Sequence, residues 1–124
     1  MLRITDITGI KYEVDDSTRK YVEKRIGRLE KYLPRHARRS ATAEVKLKQV
    51  DKSRGNKYQV EVTLYVPDRQ LNAADTSSNV LAAIDIVEAK MAGQLRRYKT
   101  ETVPHIGRRK ILSRFKRSYA RESQ

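Results

Sequence analysis

The chain has 124 residues, 28 of them Lys or Arg and 15 Asp or Glu, for a net charge of +13 at neutral pH. That length suits one compact domain plus a tail, large enough to bury a core without staples. The absence of cysteine excludes disulfides, thiolate zinc sites and thiol nucleophiles. No apolar run approaches the roughly 20 residues of a membrane span, and Met1 to Asp6 lacks the apolar region of a signal peptide. The cytoplasm is the expected compartment. A polyanion is the expected partner, because binding one relieves self-repulsion and releases counterions.

Leu2 to Thr8, ending at Gly9, is the first expected strand. Ile4 and Ile7 stand an odd step apart, which a bulge accommodates. Asp15-Asp16-Ser17-Thr18 is a helix-start cluster, since short acceptor side chains satisfy the free amides of a first turn. Val22, Ile26, Leu29 and Leu33 then recur at helical spacing, and Pro34 predicts a stop near Leu33. Ala41, Ala43, Val45 and Leu47 alternate with polar residues, as do Val60, Val62, Leu64 and Val66. Both read as strands with one buried face. A polar loop over Asp51 to Asn56 separates them, and a turn at Pro67-Asp68 predicts a third strand from Gln70 to Ala74.

Ser77-Ser78-Asn79 starts a second helix with the apolar stripe Val80, Ile84, Val87, Met91, Leu95 and Tyr98, ending near Lys99. Asp75 is read as a possible cap for it. The expected fold is α+β: a two-layer β-α-β-β-β-α domain over residues 1–100, with a four-stranded mixed sheet and two helices on one face. Residues 101–124 read as a basic, flexible tail with seven cations against Glu101 and Glu122. Its net +5 leaves +8 on the domain.

On a helical wheel Lys20, Lys24, Arg28 and Lys31 fall together, roughly opposite the first apolar stripe, with Glu23 and Glu30 on a separate flank. On the second helix Lys90 and Arg97 share a flank with Gln94, Arg96 lies farther round, and Asp85 and Glu88 occupy the other side. Solvated helices ordinarily mix signs to gain weak pairs. Sorted cations on two helices point to one basic surface for nucleic acid. His36 and His105 have no cysteine or acidic partner nearby, and no Walker loop, HExxH or GxSxG pattern occurs, so no enzyme, cofactor, metal or small-molecule substrate is expected. Gly27 and Gly93 interrupt the helices, either to admit a partner backbone or as tolerated exposed positions.

Gly9-Ile10-Lys11-Tyr12-Glu13-Val14-Asp15, then Tyr21-Val22-Glu23-Lys24-Arg25-Ile26-Gly27-Arg28-Leu29-Glu30-Lys31-Tyr32, resembles the ribosome hibernation promoting factor family, which includes ribosome-associated inhibitor A (protein Y). Ala82-Ala83-Ile84-Asp85, with Lys90 and Gln94-Leu95-Arg96-Arg97-Tyr98-Lys99, resembles that family's closing helix. The resemblance implies a translation inhibitor acting in stress or stationary phase. It would bind 16S-type rRNA of the small ribosomal subunit and occlude the mRNA and tRNA positions. By position it carries RNA binding to Lys24, Arg25, Arg28, Lys31, Lys90, Arg96, Arg97 and Lys99; the wheel adds Lys20 and puts Arg25 beside the apolar stripe with Tyr21 and Tyr32. Gly93 departs from the family's pattern, where a basic residue is common. Only about 24 residues follow the core, too few for the second domain of long members, which implies a short form or a piece of a longer chain. The alternative is a general double-stranded RNA-binding module, which would bind free duplexes as well as ribosomes.

Overall fold

The computed structural model describes residues 2–50 and 57–102. The expected loop at 51–56 and the tail residues from 103, with His105, lie outside the described residues. In chain order the elements are β1 (Arg3–Ile10), α1 (Asp16–Gly27), a 3-10 segment (Arg28–Tyr32), α2 (Arg35–Arg38), β2 (Thr42–Gln49), β3 (Tyr58–Val66), β4 (Arg69–Ser77) and α3 (Val80–Thr102). The sheet order is β1-β2-β3-β4. β1 runs parallel to β2 and the other neighbours are antiparallel, which makes the sheet mixed as expected.

The odd step in β1 is resolved by a register shift between Ile4 and Asp6. It sets Ile4 opposite Ala43 and Ile7 opposite Val45, so both isoleucines reach the face on which Ala43 and Val45 are buried. The chain then turns sharply at Lys11, whose φ is 54°. A Cβ on Gly9 would stand 1.9 Å from the Tyr12 carbonyl oxygen, so only glycine fits there.

Asp15 caps α1 by accepting the Thr18 amide at 2.8 Å. Val22, Ile26, Leu29 and Leu33 are all fully buried, so the periodic stripe is real. The helix does not run evenly to Leu33, however. After Gly27 it tightens into the 3-10 segment, and Leu33 is extended ahead of Pro34. The four-residue α2 was not expected; Ala37, fully buried, anchors it. β4 extends to Ser77, beyond the expected Ala74.

Asn79, not Asp75, caps α3: its Oδ1 accepts from the Leu81 amide at 2.8 Å and the Ala82 amide at 3.4 Å. Asp75 lies inside β4 and faces Lys90 instead. Asn79→Ala should therefore lower stability by about 1 kcal/mol, read as a fall in the thermal midpoint that Asn79→Asp avoids. Ile84, Val87, Met91 and Leu95 are fully buried and Tyr98 nearly so, with α3 continuing past the expected end near Lys99 to Thr102.

The helices pack on the face of the sheet formed by Ala43, Val45, Leu47, Val60, Val62, Leu64 and Ala73, all buried. The opposite face carries Asp6, Glu44, Lys46, Lys48, Glu61, Tyr65 and Asn72 in mixed signs. Tyr65 donates to Glu44 at 2.9 Å and Asn72 to Glu61 at 2.9 Å, so that face is already hydrogen-bonded within itself. The positive excess of the domain lies on the helix layer.

Candidate nucleic-acid interface

α1 and α3 meet along a line of polar contacts. The Tyr21 hydroxyl donates to Asp85 at 2.6 Å, and this bond to a carboxylate raises the Tyr21 pKa above its ordinary value. Arg25 donates through Nε to Glu88 at 2.6 Å and lies 3.2 Å from Asp85. Arg28 reaches Glu88 at 3.4 Å. Farther on, Arg96 lies 5.6 Å and Lys31 5.2 Å from the centre of the Tyr32 ring. Residue numbers rise together on both helices, so the helices run parallel.

This line also contains Arg25, which the resemblance carries over as an RNA contact. Its side chain is only 28% exposed and is spent on two internal carboxylates, with Tyr21 stacked beneath it at 5.7 Å. It joins the helices rather than standing free for a ligand. Arg28 is shared, since its Glu88 contact is long and its side chain is 44% exposed. Arg25→Ala should cost roughly 1–3 kcal/mol by leaving the well-buried Glu88 carboxylate without its best donor. The denaturation midpoint should fall while the salt dependence of any RNA binding stays unchanged.

Lys90 is also engaged within the fold. It pairs with Asp75 at 2.8 Å, which holds the Asp75 carboxyl below its ordinary range, and donates to the Ala74 carbonyl at 3.3 Å. Gln94 donates to the Asn72 carbonyl at 2.7 Å. Together they cover backbone carbonyls of the edge strand β4, which would otherwise invite another strand.

Lys20, Lys24, Lys31, Arg96, Arg97 and Lys99 are exposed and form no ion pair among the described residues. The first three follow the outer ridge of α1 and the 3-10 segment. The last three lie on the C-terminal half of α3, because Ala82, Ile86, Ala89 and Gly93 leave its outer face uncharged before them. A Cβ on Gly93 would meet nothing closer than the tips of Arg96 and Arg97 at 4.0 Å, so internal packing does not require glycine there. Gly27 instead ends α1 and is buried, its carbonyl accepting from the Leu2 amide at 3.2 Å.

Three exposed cations were missed from sequence: Arg35, Arg38 and Arg39, on and just after α2. The available signal was the acid-free stretch between Glu30 and Glu44, which also carries His36, here exposed. Among the described residues no group of three or more His, Cys, Asp or Glu is placed to hold a metal ion, and no helix is long and apolar enough to cross a membrane.

The family described as Sigma 54 modulation protein / S30EA ribosomal protein matches residues 5–102. The chain belongs to this family. Within curated relatives, it is 42% identical over 95 residues to the ribosome hibernation promotion factor of Lactococcus lactis, covering 77% of this chain and 49% of that protein. It is 33% identical over 95 residues to the protein of the same name from Staphylococcus aureus, covering 77% and 47%. The chain thus spans about half the length of these relatives. Among solved structures, the N-terminal domain of Thermus thermophilus Protein Y shares the fold at a TM-score of 0.67 and 26% identity, over 78% of this chain and 99% of that one. A ribosomal subunit interface protein from Coxiella burnetii shares it at 0.66 and 22%, over 80% and 99%. Both likenesses are to the α+β arrangement described above.

Proposed function

We propose that this S30EA-family chain is a ribosome-associated hibernation factor: it seats its helix layer against 16S-type rRNA of the small subunit and blocks the mRNA and tRNA positions. Its relatives in L. lactis and S. aureus are named ribosome hibernation promotion factors. The observation that carries the finer reading is the shared Tyr32 ring, flanked by Lys31 from the first helical stretch and Arg96 from α3. Cations from two helical stretches meet there, and Lys20 and Lys24 on α1 and Arg97 and Lys99 on α3 are further exposed cations of the same helices.

The mechanism is steric. Unpaired Lys and Arg side chains neutralise phosphates of a preformed RNA cleft, and counterion release drives docking. Such contacts fix position and carry little base information, so the shape of the cleft supplies selectivity. No covalent step is involved, and no cofactor, metal or small-molecule substrate enters the mechanism. A stressed or stationary-phase cytoplasm is the setting in which such a block is useful.

Sedimentation of purified ribosomal subunits with the protein at low and raised salt tests this. Co-migration with the small subunit, weakening about a thousandfold between 50 and 200 mM salt if six phosphates are engaged, is the expected result. Equal affinity for a free RNA duplex would instead favour the general double-stranded RNA module.

A further inference from the structure

From the corner where the 3-10 segment meets α2, we infer a second RNA-backbone contact, centred on Arg38 and distinct from the ridge of α1 and α3. An open groove of roughly 400 Å³ is lined there by Gly27, Arg28, Glu30, Lys31 and Arg38. Among the described residues, three cations and one carboxylate line it. Two of the cations, Arg28 and Lys31, belong to the surface already described; Arg38 comes from α2. Arg35 and Arg39 are exposed on the same short stretch, and no acidic residue occurs between Glu30 and Glu44.

The corner is held before any ligand arrives. Leu33 and Ala37 are fully buried and Pro34 is buried beside them. The Ala37 amide donates to the Pro34 carbonyl at 3.0 Å and the Ala41 amide to the Ala37 carbonyl at 3.0 Å. Arg38 donates through Nε to the Leu33 carbonyl at 3.2 Å. That bond uses one of its five N–H donors and leaves the terminal nitrogens available. A guanidinium fixed by its own backbone loses little freedom on meeting a phosphate, and its planar fork suits that group. Charge complementarity therefore selects an anionic strand as the occupant. Since the groove continues from Arg28 and Lys31, that strand is rRNA backbone running off the helix ridge.

This inference rests on the ribosome reading, and its test separates the two. The full chain carrying Arg38→Ala, Arg38→Lys or Arg97→Ala is titrated against small subunits over a range of salt, with thermal melting as the check on folding. Loss of one phosphate contact corresponds to about a tenfold loss of affinity near 0.1 M salt and a fall of about 1 in the log–log salt slope. Arg38→Ala is expected to show both, and Arg38→Lys to keep the slope. If Arg38→Ala folds and binds with an unchanged slope while Arg97→Ala loses one contact, the corner site is refuted and the ribosome reading survives. If Arg38→Ala melts early, Arg35→Ala with Arg39→Ala in one chain replaces it, and an unchanged slope there refutes the site equally. A cross-linker at position 38 that labels a ribosomal protein and not rRNA also overturns it. Failure of the unaltered chain to bind any subunit removes both readings together.

Discussion

Reversing Lys24, Lys31 and Arg97 together, as Lys24→Glu, Lys31→Glu and Arg97→Glu, should lower affinity for ribosomes by at least about a thousandfold near 0.1 M salt. Each phosphate contact contributes about 0.9 to the log–log salt slope, which is close to tenfold between 0.1 and 1 M salt. Three lost contacts multiply, and the new carboxylates add repulsion. None of the three side chains forms an ion pair among the described residues, so folding should survive. Stability should change little: reducing a net charge of +13 relieves self-repulsion, against the lost contact of Lys31 with the Tyr32 ring and a carboxylate in the last turn of α1. Binding isotherms at several salt concentrations check this. A slope unchanged within error would show that these side chains do not face phosphates.

Leu95→Ala should produce the largest loss of stability, about 2–5 kcal/mol. Leu95 is fully buried on the inner side of α3, next to Arg96 and Arg97 on its outer side. Removing it leaves a cavity between that helix and the sheet, in a domain whose whole stability is on the order of 5–15 kcal/mol. Urea unfolding should show a lower midpoint at constant slope. The folded fraction that remains should bind with unaltered salt dependence, since no cation has been removed. A loss well under 1 kcal/mol would contradict the packing of α3 on the sheet.

The apolar patterns were legible because burial on one face imposes a period that the chain cannot hide. The stripe Val22–Ile26–Leu29–Leu33 and the alternation in β2 and β3 fall where the periods put them. Even the bulge in β1 announced itself as an odd step between two isoleucines. The 3-10 segment was not legible, because it is short and its buried residue, Leu29, would also point inward in an α-helix, while Leu33 is buried from the extended residue that follows. The four-residue α2 is too short to show a period at all.

At the candidate interface a wheel gives the direction of each side chain about its own axis and nothing about the neighbouring element. Arg25 and Glu88 are 63 positions apart, so their pairing follows only from how α1 lies against α3. The same reasoning covers Lys90 and Asp75, which meet because α3 crosses the β4 edge. Asp75 had the right chemistry for a cap, but Asn79 stands at the position from which a side chain reaches the first amides. The cations that remained free are those on the outward faces, which the wheel does resolve.

A density map of the protein bound to the small subunit tests the central claim most directly. The outward side chains Lys24, Lys31, Arg96 and Arg97 should lie against rRNA phosphates in the messenger cleft, with the open face of the sheet turned away. A bound chain presenting Glu44, Glu61 and Tyr65 to the RNA, or attached outside the cleft, would contradict it.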